Sequence, residues 1–401
     1  MRGAAGERLP IVEKIVFYSL CGFALCTNLS VAGANICLTV CILGAGYRFF
    51  LKRNDLKDIF SNNQLLFSVV GVFLVSQLLS TVASDAPVSS LRVFGDHYVY
   101  RMAIFFIVLA FVRSKEQILW LIKFALISAL INNIAAIGQG IVHFGDAPGR
   151  FSGFMFYMAQ GTSLAVWLSL LTVFTIREAR YRKWGWGLLG IFCIAMWLNG
   201  TRGAWIAAAV TMSVAAFMCV RSKKKFFISW MAAVVLLSGL IAVVPGLYQR
   251  TMSITQMDVQ SNAERIRLWT SSNNMFFDHP FLGVGVGRFA DEYHAKYILP
   301  EAKERHLEHA HNNVMHLAAE SGVVGVFGFL VLWGYFSYFG VRGWYREKNL
   351  AYLAFFVIVT GIMLHGLTEY TLGRSATMKF FWFSLGVCLQ WIRCGQKDHV
   401  A

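Results

Sequence analysis

Two groups of residues in this 401-residue chain have types and spacings suited to chemistry. The first is a set of arginines in polar stretches between apolar runs: Arg150, Arg202, Arg250, Arg265, Arg267, Arg288, Arg305 and Arg374. A planar guanidinium binds phosphate oxygens in pairs, so this surplus points to an anionic ligand. For any single one of them, solvated loop charge or contact with lipid phosphate is the plainer reading. Arg202 lies in Asn199-Gly200-Thr201-Arg202-Gly203, a short turn between two apolar helices. There the free N–H groups and the positive end of a helix dipole can join the guanidinium on one anion. Arg265 lies in Glu264-Arg265-Ile266-Arg267-Leu268-Trp269. Trp269, four residues on, shares its helix face and can anchor the helix at a membrane interface. Arg267 is about 200° further round and faces elsewhere. The second group is His306, Glu308, His309, His311 and His316. Its spacing matches no standard metal pair at i and i+4 on a helix. A histidine here has an unperturbed pKa suited to a general base, with helix capping and interfacial polarity as the plain alternative.

The elements that must position these groups follow from composition. Apolar residues make up 57% of the chain and charged residues 14%, with a mean hydropathy of +0.56. No soluble domain buries that much apolar surface. Apolar runs at about 15–30, 32–49, 64–83, 98–112, 117–142, 154–176, 185–199, 203–220, 226–245, 315–341, 350–368 and 378–393 each approach the roughly 20 residues of a spanning helix. The expected fold is an all-α polytopic membrane protein of about 12 transmembrane helices with one long periplasmic loop. Residues 1–244 would carry helices one to nine, 245–313 the partly helical loop, and 314–401 helices ten to twelve and a short cytoplasmic tail. With the N-terminus inside, every inner loop is basic, as in Arg221-Ser222-Lys223-Lys224-Lys225, and both termini are cytoplasmic. The net charge of +15 therefore reports topology, and no nucleic-acid partner is expected. Ala32-Gly33-Ala34 resembles a signal-peptide cleavage site, but the first two runs read better as a spanning hairpin. The eight cysteines lie in or near apolar runs without a CxxC pair, so neither a disulfide framework nor a zinc pattern is implied. In the long loop, 263–277 reads as an amphipathic helix broken by Asp278-His279-Pro280. A tight turn at Gly283-Val284-Gly285-Val286-Gly287 follows, and then a helix over 291–297.

The stretch from His311 to Gly325 resembles the signature of the O-antigen ligase and polymerase superfamily. That signature is a His, then Asn, Ser or Gln, nine residues and a GxxG, and His311, Asn312, Gly322 and Gly325 fill its slots. GxxG alone would mean only close helix packing, a reading that Gly328 extends. Asn199 to Trp205 resembles the family's first arginine motif. Arg265 to Trp269, followed by His279-Pro280-Phe281-Leu282-Gly283-Val284-Gly285, resembles its RxxxW and HPxxGxG stretch. The resemblance covers about residues 195–330 by motif.

It implies an inverting glycosyltransferase of GT-C-like architecture in the inner membrane of a Gram-negative bacterium, with its active site facing the periplasm and lipids around it. The donor would be undecaprenyl diphosphate-linked O-antigen. Three acceptors compete: the lipid A core (a ligase), a second lipid-linked unit (a polymerase), and a protein Ser or Thr (an oligosaccharyltransferase). Length, span number and the modest loop look most like the ligase. The departing diphosphate must be stabilised by preorganised charge. No DxD-like acidic pair stands on the outer side, so no metal and no cofactor is expected, and arginines take that role. Arg202 and Arg265 are assigned to the diphosphate, Arg288 as a third contact, and Trp269 to the substrate-binding residues. His311 is the base or the group that orients the acceptor hydroxyl. Asn312 would bond the donor sugar or its own turn. Glu369 and Arg374, between the last two spans, would wall the acceptor or pair with each other. A lipid-linked glycan transporter would also show many spans and outward arginines, but it calls for ionisable groups at midplane. Here Lys123 can snorkel, Glu320 lies near the outer surface, and Asn132-Asn133 reads as interhelical glue.

Overall fold

The computed structural model describes residues 2–51, 64–143, 150–243, 245–254, 256 and 259–397. Among them 82% is helix and no strand occurs. The helices are α1 (Arg2–Cys26), α2 (Val31–Leu51), α3 (Gln64–Ala83), α4 (Pro87–Phe94), α5 (Arg101–Phe111), α6 (Lys115–Val142), α7 (Tyr157–Arg177) and α8 (Arg182–Asn199). They continue with α9 (Arg202–Cys219), α10 (Lys223–Val243), α11 (Pro245–Met252), α12 (Gln260–Asp278), α13 (Phe289–Glu292), α14 (Asn313–Glu347), α15 (Leu350–His365) and α16 (Ser375–Lys397). A π-helical turn over Gly95–Tyr100 joins α4 to α5, and another over Tyr293–Tyr297 follows α13. Each expected apolar run falls on a helix. Among the described residues, eight helical stretches are long and apolar enough to cross a membrane. They are Val31–Phe50, Gln64–Ala83, Pro87–Phe111, Lys115–Val142, Tyr157–Arg177, Arg202–Cys219, Lys223–Val243 and Asn313–Glu347. The protein is thus an all-helical, multi-pass membrane protein.

The main core runs through α1, α7, α15 and α16, where Phe23, Val166, Phe355 and Phe381 are buried. At the far side α10 buries no residue at all, an exposure that lipid tails accept without cost. A second, smaller core joins Leu268 and Met275 of α12 to Val284, Phe289, Tyr293, Tyr297, Ala310 and Ala319. The loop segment therefore has its own packed centre, seated on the N-terminal part of α14.

α14 is broken at Gly322, whose φ of 58° and ψ of −161° are not helical. Such a break strands backbone donors and acceptors that must find partners elsewhere. The turn after Pro280 supplies them. Val323 and Val324 donate their N–H groups to the carbonyls of Pro280 (2.8 Å) and Phe281 (3.2 Å). Val284 and Gly285 donate to the carbonyls of Ala319 and Glu320, both at 2.9 Å. A Cβ on Gly322 would lie 2.4 Å from the Phe281 carbonyl carbon, and one on Gly283 would lie 2.2 Å from that of Glu320. Both glycines have positive φ, so only glycine fits the two facing positions. The HPxxGxG and GxxG stretches are thus two halves of one backbone junction. α3 closes it from the other side: Ser80 Oγ donates to the Glu320 carbonyl at 2.6 Å, and Ser321 Oγ donates to Gln77 Oε1 at 2.7 Å.

Candidate functional site

The junction delivers the start of α14 to one spot, and the segment between α15 and α16 is buckled onto it. Asn312 caps α14, its Oδ1 accepting from the N–H groups of Val314 (2.8 Å) and Met315 (3.2 Å). Its Nδ2 donates to the Leu367 carbonyl at 2.9 Å. Asn313 donates its N–H to the Gly366 carbonyl at 2.7 Å and its Nδ2 to Thr371 Oγ1 at 2.8 Å. From the opposite side Arg101 donates to the carbonyls of Leu372 (3.2 Å) and Gly373 (2.9 Å). The side chain of Asn312 is thus consumed by turn and buckle together.

These ties set Glu369, itself buried, beneath the histidines. His311 Nδ1 lies 2.8 Å from Glu369 Oε2, and Arg374 donates to Glu369 Oε1 at 3.2 Å. Burial alone would raise the Glu369 carboxyl. The hydrogen bond with His311, the charges that His311 and His309 carry when protonated, and that of Arg374 outweigh it and hold the group at about 2. Facing an ionised carboxylate, His311 carries its proton on Nδ1 and leaves Nε2 as an acceptor. His311 also has a φ of 49°. Left-handed backbone at a non-glycine residue costs on the order of 1–3 kcal/mol, held here by the Glu369 contact and the Asn312 cap.

His309 packs on His311 with ring centroids 4.2 Å apart. Its Nε2 lies 2.9 Å from an Arg374 nitrogen, which can only donate, so the ring is a neutral Nδ1–H tautomer. Burial, then the repulsion of the neighbouring His311 when that ring is protonated, pushes its pKa down to about 3. His309, His311 and Glu369 present ligand atoms within 4.8 Å of one another, the geometry of a cation site. The chain supplies the cation itself. Arg374 donates to both Glu369 and His309, and a divalent ion on this triad would have to displace it.

The arginines divide into two kinds. Arg265, on α12, makes no hydrogen bond or ion pair with a described residue. Burial lowers its pKa, opposed by the attraction of Glu369 and aided by Arg150. It is a guanidinium held near the dyad without a partner among the described residues. Arg202, at the start of α9, is fully engaged. It donates to the carbonyl and hydroxyl of Ser253, to Ser261 Oγ at 2.8 Å and to Asn262 Oδ1 at 2.9 Å. It therefore ties α9 to the first turn of α12, one turn before Arg265. Arg288 pairs with Asp291 and lies 4.0 Å from Glu292. Arg267 pairs with Glu264, whose carboxylate also accepts the N–H groups of Lys303 and Glu304. Arg250 lies among side chains outside the described set. Trp269 donates its indole N–H to the Ala310 carbonyl at 2.9 Å, one residue before His311. The RxxxW spacing thus puts a cation on one turn of α12 and a brace for the histidine turn on the next.

Sequence reasoning singled out His311 and Arg265 but not the His311–Glu369 contact, which joins residues 58 positions apart. The expected pairing of Glu369 with Arg374 is present. Their shared location on the outer side, beside the motif histidines, was the available signal.

The site of this multi-pass helical membrane protein thus combines a buried His311–Glu369 pair with Arg265, a guanidinium that no described residue engages. Residues 187–330 match the family model described as O-antigen ligase. The matched segment includes Arg202, Arg265, Trp269, His311 and the Gly283–Gly322 junction. Among curated proteins, none matches the chain.

Proposed function

We propose that the protein is an inverting, metal-independent O-antigen ligase. It transfers O-antigen polysaccharide from undecaprenyl diphosphate to the lipid A core oligosaccharide at the periplasmic face of a Gram-negative inner membrane. The reading includes twelve spans in a GT-C-like arrangement, with both termini in the cytoplasm. The observation that carries it is the 2.8 Å contact between His311 Nδ1 and Glu369, which leaves Nε2 to take a proton.

The acceptor hydroxyl gives its proton to His311 Nε2 as its oxygen attacks the anomeric carbon, and the bond from that carbon to the diphosphate oxygen breaks with inversion. Glu369 stabilises the imidazolium that forms. The diphosphate leaves with its electron pair and needs no proton. Its charge falls to Arg265, whose donors, engaged by no described residue, are left for phosphate oxygens. Arg202 acts by holding α12 and hence Arg265 in register, with Arg288 at the margin of the donor site. Trp269 and Asn312 set the turn that bears His311. Arg374 occupies the His309–His311–Glu369 triad as a fixed positive charge, which supports a reaction without a metal.

The test is glycan transfer in detergent from undecaprenyl diphosphate O-antigen to rough lipopolysaccharide, with and without EDTA. The expected result is equal transfer in both, and folded but inactive Arg265→Ala and His311→Ala variants. Chain growth on the lipid carrier or labelling of protein instead of lipopolysaccharide would reassign the acceptor, and inhibition by EDTA would overturn the metal-free reading.

A further inference from the structure

A cavity of about 470 Å³ is lined by His309 and Arg374, the two residues that flank the His311–Glu369 pair. That volume lies in the range of about 300–1,000 Å³ usual for small-molecule sites. Its walls come from four separate parts of the chain: His97 after α4, Ala290 on α13, Glu308 and His309 before α14, and Tyr370 and Arg374 before α16. Its inner end is lined by His316 and Glu320, themselves paired at 3.4 Å. Tyr370 lies over His316 with ring centroids 3.6 Å apart. Neither Arg265 nor Arg202 lines this space.

The chemistry of the lining separates it from the diphosphate side. Its one arginine, Arg374, is already bound to Glu369 and His309. It also holds the carboxylates of Glu308 and Glu320, the latter paired with His316, and four imidazoles. Imidazoles and carboxylates with aromatic edges offer donors and acceptors at short range, the set that sugar hydroxyls require. His309 and Arg374 line this polar cavity and are tied to Glu369, whereas Arg265, which no described residue engages, does not line it. His311 packs on His309, with ring centroids 4.2 Å apart.

We infer that this cavity is the acceptor subsite and that it takes an uncharged sugar ring, presenting a hydroxyl toward His311 past His309. The inference rests on reading the protein as a glycan transferase. It adds that donor and acceptor are held by separate sets of residues, and that acceptor selectivity resides in His97, Ala290 and Glu308, outside the motif stretches.

Binding tests this without requiring turnover. Two probes are titrated into the purified full-length protein: a dephosphorylated core oligosaccharide released from rough lipopolysaccharide, and farnesyl diphosphate. Ala290→Trp fills the cavity and should weaken the oligosaccharide by at least tenfold while leaving farnesyl diphosphate unchanged. Glu308→Ala, on an exposed loop where folding is not at stake, should weaken it several-fold. Arg265→Ala should do the reverse, losing farnesyl diphosphate and keeping the oligosaccharide. Wild-type protein that does not bind the oligosaccharide overturns the assignment, as does an Ala290→Trp variant that loses the diphosphate instead. Failure of the proposed donor chemistry reads out separately, as farnesyl diphosphate binding that ignores Arg265.

Discussion

Replacing Glu369 with Gln keeps the shape of the side chain and removes its charge. In the native site the carboxylate accepts from Arg374 at 3.2 Å and faces His311 Nδ1 at 2.8 Å, at 2% side-chain exposure. Hydrogen bonds to a charged group contribute about 1.5–3 kcal/mol each, and breaking one partner out of a buried ionic cluster costs about 3–5 kcal/mol in all. The melting temperature should fall accordingly. The catalytic share is smaller, because only the support given to the imidazolium is gained in the transition state. At about 1.5–3 kcal/mol that share corresponds to a loss of roughly 10- to 150-fold in kcat. KM for donor and acceptor should change little, since Glu369 positions His311 and touches neither substrate. The assay is steady-state transfer from undecaprenyl diphosphate glycan to rough lipopolysaccharide across pH, on protein shown to be folded. A folded Glu369→Gln enzyme with wild-type kcat and an unchanged pH profile would refute the role given to the dyad.

Other expectations follow from the same contacts. Arg202→Ala removes four hydrogen bonds to the Ser253–Asn262 segment and should lower thermal stability, whereas Arg265→Ala should abolish transfer with the melting temperature nearly unchanged; the opposite pattern would reverse the roles assigned here. Gly322→Ala forces a methyl to within 2.4 Å of the Phe281 carbonyl carbon at a φ of 58°, so a loss of several kcal/mol is expected, and an unaltered melting curve would discredit the junction. Arg374→Met vacates the triad of His309, His311 and Glu369 and should create zinc affinity, seen as a zinc-dependent, EDTA-reversible rise in melting temperature that wild type lacks. Acidification should destabilise the site in two stages. As pH falls from about 6.5 towards 3, the unfolded chain protonates His309 while the folded chain resists. The stabilisation from Glu369 is complete above its ordinary 4.5 and is lost as pH falls through about 2, so a melting temperature flat from pH 7 to 3 would contradict both shifts.

Much of this architecture was legible in the chain because it depends on local pattern. Apolar runs of spanning length require helices, since an unpaired backbone in hydrocarbon is too costly, and the twelve expected runs fall on helices. The amphipathic stretch expected at 263–277 is α12, at Gln260–Asp278. Arg267 was placed away from Arg265 by helical geometry alone, and it pairs with Glu264. The residues with potential for chemistry, His311 and Arg265 among them, could be chosen by type and spacing because both lie in short, patterned stretches.

Tertiary structure decided how those residues are used. Whether a guanidinium is free or consumed depends on partners far along the chain: Arg202 meets Ser253, Ser261 and Asn262, while Arg265 meets no described residue. Trp269 and Asn312 carry side chains that could contact a ligand, yet each spends its polar group on the turn around His311. Gly283 and Gly322 look like separate turn and packing signals, and only in three dimensions do they form one junction with no room for a Cβ. The deepest dependence is that of His311 on Glu369. Periodicity reports which face of its own helix a residue occupies and says nothing about which loop will be folded beneath it. The buckle by Asn312 and Asn313 creates that neighbour, and with it the difference between a polar histidine at a membrane surface and one arranged to accept a proton.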